Sequence, residues 1–443
     1  RNAPRDERRV TRFSSIRHLH NLPLNQVRDE DLRIYRAALS KLVNSLSRAT
    51  EIIAPVAVDE HSTLLAINLR QVHWDQGEKW DEILKLYPYG LHHAEYPDQP
   101  DIQVLAEEVY SVSGTKIPVI RADWFVTAAA RPPLYHLLLD LPDDARLLER
   151  QLGVDVIDDF LKGNIRRGGF NGSGVSGNNR MVQRHSIATG AYWKSYDFFR
   201  SAGRGNLFVF PLGPEFDRHP FSRNAFKHDG GEIIFNLPNG LQAYLLVDSQ
   251  DRRIDVGPIE VVSDGKKVSG TPAIVNGLSC MACHQHGIIP FTDQIRTGHI
   301  LGGEARAAVN RLYPEKSVMD ELIARDRQRF LEALDKATGP FLKVGTDAAR
   351  SIDDFPEPIT AIARWYLQQE LTAEQAAFEL GFSDAQTLIA IVQANPRLQL
   401  LGLYPLASGA TIKRDTWEDI SFVISPFQEA ARELKLGTPV SHR

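Results

Sequence analysis

Apolar positions recur at helical spacing along most of the chain and at strand spacing in a few short stretches. Between residues 30 and 48, Leu32, Ile34, Ala37, Leu39, Leu42, Val43 and Leu46 fall near one face, which predicts an N-terminal helix. Residues 63–69 are short and apolar and read as a strand. Stretches 80–86, 102–110, 118–130 and 133–141 read as helices, and Asp143-Asp144 opens a further helix through residue 160, its acidic start complementing the helix dipole. Residues 162–179 hold Gly163, Gly168, Gly169, Gly172, Gly174 and Gly177 among Asn and Ser, and predict a long loop. Four apolar runs follow, 207–210, 232–235, 242–247 and 259–262. Leu237-Pro238-Asn239-Gly240 joins the middle two as a hairpin turn, since Asn-Gly tolerates positive φ at both central positions.

Helical pattern then returns. Residues 315–337 place Met319, Leu322, Ile323, Phe330, Leu331 and Leu334 on one face, and 359–369 continue in the same manner. Thr372 to Gln375 has the form of a capping box, and Ser383-Asp384-Ala385-Gln386 repeats it. The pair has the outline of a helix-turn-helix but reads as part of a helical bundle, and 417–434 reads as the last helix. The expected class is α+β, mainly helical. It divides into a helical N-terminal region at 1–161, a Gly-rich loop and small antiparallel sheet at 162–268, and a helical domain at 269–443.

Composition narrows the picture. Of the 443 residues 24% are charged and 43% are hydrophobic, which is the balance of a folded globular chain. A net charge of -5 lacks the basic excess that phosphate backbones demand, so nucleic acid is not an expected partner. No apolar run approaches the roughly 20 residues of a membrane-crossing helix. The first residues, Arg1-Asn2-Ala3-Pro4, lack both an initiator Met and the pattern of a signal peptide, which suits a removed export signal or a trimmed chain.

The two cysteines sit in one pentapeptide, Cys280-Met281-Ala282-Cys283-His284. This is the C-x-x-C-H form of a c-type haem attachment site. Each thiol can add across one vinyl group, the two-residue gap lets one turn reach both, and His284 follows as the proximal iron ligand. Two other chemistries use the same atoms. Zinc could take Cys280, Cys283 and two of His284, His286 and His299, though no second C-x-x-C completes the usual tetrahedron. A thioredoxin-like dithiol would want a strand just before the motif and a helix opening at it.

At these residues the chain resembles c-type cytochromes. Together with the stretch from His228 to Gln242 and Asn276-Gly277-Leu278-Ser279, it is similar to large exported bacterial haem c proteins. The resemblance implies one covalent haem c held by Cys280 and Cys283, His284 as axial ligand, and a periplasmic or extracellular location, because such haem is attached outside the cytoplasm. The helical 269–443 segment would then be the haem domain.

The sixth iron ligand is open in the sequence. Met319, which follows the motif as in small cytochromes, is the first named candidate, although it also lies on the apolar stripe of its helix. Met181, His185, His228 and His299 are further candidates, and His286 is too near His284 to reach the opposite haem face. Arg184 beside His185 has the residue types of a peroxidase pair. Gly172-Ser173-Gly174-Val175-Ser176-Gly177 matches G-x-G-x-x-G, but its flanks lack the strand and helix of a dinucleotide site, so it reads as a structural or haem-covering loop. Asp264-Gly265-Lys266-Lys267 reads as a turn whose lysines could also meet haem propionates. Three functions follow. An exported monohaem cytochrome would pass single electrons to a redox partner protein. A haem c oxidoreductase, peroxidase-like or oxygen-using, would keep an open distal face. A haem-based structural or sensor protein is the third. Oligomeric state is not legible in the sequence.

Overall fold

In the strands that lie between Arg166 and Asp248 successive side chains point to opposite faces, as the two-residue period requires. The computed structural model, which describes residues 4–22, 28–93, 100–421 and 423–440, folds this stretch into a five-stranded antiparallel sheet. Its strands are β1 (Arg166–Ser173), β2 (Ser176–Ile187), β3 (Gly190–Asp197), β4 (Gly230–Asn236) and β5 (Gln242–Asp248), each paired with the next in sequence. Register fixes the two faces. Arg180 lies opposite Phe170 and Asp197, Trp193 opposite Arg184 and Ile234, and Glu232 opposite Leu246, so these residues share one face. Met181, His185, Tyr192 and Tyr196 lie on the other, where Met181 and Tyr196 join a core with Phe160, Phe198, Leu207 and Phe226.

The sheet corrects the loop expected at 162–179, most of which is β1 and the start of β2. Two of the glycines are there for close packing. A Cβ at Gly168 would come within 2.2 Å of the Phe291 ring, and one at Gly169 within 2.6 Å of Ile295. Gly172, with φ +77°, sits at the irregularity where the β1–β2 register shifts between Asn171 and Ser173, just before the hairpin turn. Runs 207–210 and 259–262, expected as strands, pass instead as turns. The β4–β5 hairpin forms as expected, yet of its Asn-Gly pair only Gly240 takes a positive φ, +94°. Asn239 uses its side chain, accepting from the Leu241 amide and donating to the Asn44 carbonyl.

Helices also depart from expectation at their ends. The span 143–160 splits into Ala145–Leu152 and Val156–Lys162, because Gly153 ends the first at φ +71° and Asp155 caps the second by accepting from the Asp158 amide. Residues 119–121, expected to be helical, form a strand that pairs in parallel with Thr11–Ser15. The Thr372–Gln375 capping box forms, whereas Gln386–Ala394 starts without a side-chain cap from Ala385. The last helix expected at 417–434 is two, Arg414–Trp417 and Pro426–Glu433. Two helices that follow the sheet in sequence bear on the site: α1 (Leu278–Cys283) and α2 (Lys316–Leu342).

The chain forms two units. One comprises Arg1–Ser40, Ile53–Ala128 and Ala361–Arg443; the other comprises Lys41–Ile52 and Ala129–Thr360. This cuts across the expected division at 161 and 268, since residues 361–443 join the N-terminal stretch and not the cysteine motif. The reason is visible in the first unit. Thr438–Pro439 pairs with Leu91–His92, and Glu379 takes both Arg414 at 2.7 Å and Arg121 at 2.9 Å in a buried ion-pair group. Both helices and strands are present throughout, as the α+β class requires. Among the described residues no helix is long and apolar enough to cross a membrane.

Candidate functional site

The site lies wholly in the second unit. Gly277 sets its geometry: at φ +82° it caps α1, and a Cβ there would meet the Ala130 carbonyl oxygen at 2.5 Å. The helix that follows is one and a half turns long and carries Cys280 and Cys283 in its last turn. The His284 amide donates to the Cys280 carbonyl at 2.8 Å, which continues the turn through the histidine. Just before the helix, the Val275 amide donates to Ser279 Oγ at 2.9 Å.

Cys280, Cys283 and His284 open onto one cavity of about 580 Å³. Its floor is the sheet face bearing Val182, Trp193, Glu232 and Ile234. Phe291 and Pro290 wall it on the β1 side, where Gly169 receives a hydrogen bond from the Gln294 amide and donates one to Asp293. Val261, Val262 and Ile274 wall it opposite. The β1–β2 hairpin tip, Gly172 to Val175, also faces the cavity and is tied down by the Ser263 amide donating to the Val175 carbonyl. The G-x-G-x-x-G stretch is therefore a covering hairpin and opens no helix. Asp264 closes the expected turn by accepting from the Lys266 and Val268 amides, while Lys266 reaches the cavity rim.

Polar contacts orient the motif. His284 Nδ1 faces the Gly287 carbonyl at 3.3 Å; an acceptor there makes Nδ1 the donor and leaves Nε2 for a ligand. The imidazole is stacked on Tyr244, with ring centroids 6.0 Å apart. Nε2 faces Glu232 Oε2 at 3.4 Å. Burial alone would raise the Glu232 pKa, but His284, a hydrogen bond with Cys280 and nearby Arg180 outweigh it and bring it to about 2. Arg180 in turn pairs with Asp197 at 2.6 Å on the same sheet face. Burial and the Glu232 charge push the Cys283 thiol up to about 11, and the same two causes raise Cys280 further.

These features weigh the three chemistries. The cysteines are unbonded thiols with raised pKa values, the reverse of the thiolate a redox dithiol needs, even though a short strand, Ile274–Val275, precedes the helix. Among the described residues no group of three or more His, Cys, Asp or Glu is arranged to hold a metal ion, so the zinc alternative gains no ligand set. A covalent haem fits what is present: two thiols and one imidazole on a single cavity, apolar walls, and a fixed Nδ1 donor.

The expected distal candidates lie elsewhere. Met319 is buried on α2 and is not among the residues lining the cavity. Met181 and His185 are on the opposite sheet face; His185 is held by Asp159 at 2.7 Å and by Gln183 at 2.9 Å. His228 packs against Tyr196, His299 is exposed, and His286 lies outside the lining. Arg184 and His185 do not act as a pair, because neighbouring strand residues face opposite ways and Arg184 is committed to Asp326 through contacts of 2.7 and 2.9 Å. Glu232, Arg180 and Tyr244 are the site residues the sequence reading missed. The signal for Glu232 was a single charge at an inward position of an otherwise apolar strand, Gly-Gly-Glu-Ile-Ile-Phe.

Comparison of the chain with protein-family models, curated proteins and solved structures finds no match.

Proposed function

We propose that the protein carries one haem c, bound through Cys280 and Cys283 with His284 as axial ligand, and passes single electrons to a redox partner protein outside the cytoplasm. The single observation that carries this reading is the convergence of both thiols and the imidazole on one cavity of about 580 Å³ with a mainly apolar lining. When bound, the haem supplies a one-electron couple at its iron. The chain's own residues do the remainder. The Gly287 carbonyl holds the imidazole through Nδ1, Tyr244 stacks on its ring, and Phe291, Trp193 and Ile234 line the cavity with apolar surface that would exclude water from a bound haem. Lys266 at the rim offers a cation to a propionate.

A second reading, a haem c oxidoreductase with an open distal position, is favoured by a specific observation. Among the described residues lining the cavity, His284 is the one histidine and no methionine occurs. The test is production in a bacterial host competent for haem c attachment. Colour that stays with the protein through acidified-acetone extraction supports the shared reading, and colour that leaves with the solvent overturns it. Carbon monoxide binding by the reduced protein then selects the oxidoreductase, and its absence selects the carrier.

A further inference from the structure

Asparagine is followed by glycine at three places, Asn171-Gly172, Asn239-Gly240 and Asn276-Gly277, all in the second unit. In such a pair the glycine nitrogen can close on the asparagine side-chain carbonyl carbon, because no Cβ stands in its way. The closure needs a side chain free to turn toward its own backbone. The fold withdraws two of the three pairs. Asn239 accepts from the Leu241 amide at 3.1 Å and donates to the Asn44 carbonyl at 2.9 Å, and the Gly240 amide is itself held by the Leu237 carbonyl at 3.0 Å. Asn276 is fully buried with its side-chain nitrogen 2.7 Å from His136 Nε2, and Gly277 after it is crowded by Ala130 and Tyr135.

Asn171 differs on each count. It is exposed at the cavity lining, and among the described residues its side chain has no hydrogen-bond partner. Its own backbone amide is engaged instead, donating to Gln294 Oε1 at 3.1 Å. The β1–β2 register passes over Gly172, going from Asn171 opposite Asn179 to Ser173 opposite Ser176, and a Cβ at Gly172 would meet nothing within 4 Å. We propose that Asn171 is a site of spontaneous intramolecular modification, converting to aspartate and isoaspartate beside the hairpin tip that covers the cavity. The Gly172 nitrogen loses its proton to solvent and forms a bond to Asn171 Cγ, while the bond from Cγ to the side-chain nitrogen breaks and ammonia leaves. Water then opens the cyclic imide. Cleavage at Cγ gives aspartate, and cleavage at the main-chain carbonyl carbon gives isoaspartate, so water replaces ammonia and no oxidant or reductant takes part. Both products place a negative charge on the lining that also holds Lys266. Isoaspartate further lengthens the main chain leading into a hairpin whose Val175 carbonyl is tied to the Ser263 amide. The cavity thus changes charge and cover without any change at Cys280, Cys283 or His284, whatever group it holds.

The test incubates the full chain in mildly alkaline buffer, folded and in parallel in urea, and follows each asparagine by tryptic digestion and tandem mass spectrometry. Isoaspartate is scored separately by methyl transfer from S-adenosylmethionine with an isoaspartyl methyltransferase. In the folded protein, conversion at Asn171 should exceed that at Asn239 and Asn276 at least about tenfold, since those two react only after local opening. In urea the three should convert at similar rates. Asn171→Gln, a change at an exposed position, should remove most of the methyl acceptance of the folded protein. Equal conversion of all three sites in the folded chain overturns the proposal. So does an Asn171 that stays intact when folded yet converts in urea, which would show that the hairpin protects it. Methyl acceptance that persists in the Gln variant overturns it as well, by placing the reactive residue elsewhere.

Discussion

His284 and His286 stand two positions apart and have different surroundings. The first is anchored through Nδ1, stacked on Tyr244 and aimed at the cavity; the second lies near Arg327 and Lys41, away from it, with burial lowering its pKa. His284→Ala should therefore abolish the normal haem spectrum, whereas His286→Ala should leave it nearly intact, as an absorption scan of both purified variants would show. Equal damage would remove His284 from its role. Met319 belongs to the opposite case. With 3% of its surface exposed on the buried face of α2 beside Ile323, it reads as packing. Met319→Leu conserves volume and polarity, so it should keep the spectrum and potential and cost under about 1.5 kcal/mol in a denaturant titration. A displaced potential would restore it as an iron ligand.

At the scale of elements, the turn between β-structure and α1 depends on one backbone conformation. Gly277→Ala would combine a left-handed φ with a contact 2.5 Å from the Ala130 carbonyl, and should destabilise by more than about 1 kcal/mol and lower haem loading. Gly265→Ala, where an added Cβ meets nothing within 4 Å, is the control and should leave both quantities unchanged in thermal melts and haemochrome assays. The same glycines explain which parts of the fold could be read in advance. Long amphipathic periods such as that of α2 and the Thr372 capping box are local signals, and they gave helices near their expected places. Strand β1 was not legible, because its Gly168 and Gly169 are dictated by Phe291 and Ile295, which are over 120 residues away in the chain. The cysteine motif is a local signal as well, so Cys280, Cys283 and His284 could be named in advance as the centre of the candidate site. Its surroundings were not: Glu232 and Arg180 reach the cavity only through strand register, which a spacing rule cannot supply.

For the whole molecule, burial shifts four histidines of the second unit downward and Glu418 of the first unit upward, with opposite consequences for stability. In the second unit His136 and His228 are brought to about 4 from an ordinary value of 6.5, in each case mainly by burial, and His185 and His219 are lowered for the same first reason. A histidine with a depressed pKa binds fewer protons folded than unfolded. Its contribution is intact above 6.5 and is lost as pH falls toward the folded value. In the first unit, burial raises Glu418 to about 7 from 4.5, only partly offset by Arg414 and by the Tyr366 and Tyr89 hydroxyls. An acid with a raised pKa binds more protons folded than unfolded, so its contribution is complete below 4.5 and is lost as pH rises through 7. A tenfold difference in proton affinity between the folded and unfolded chain is worth about 1.4 kcal/mol, enough to register in local opening. Between pH 7 and pH 5 the units should move in opposite directions. Hydrogen exchange, corrected for the intrinsic rate at each pH, should show protection falling across β2 to β5 and rising in the helices around Glu418. Glu418→Gln should flatten the response of the first unit alone. Protection that falls in both units on acidification would show that Glu418 is ionised in the fold, with Arg414 and not burial governing its charge.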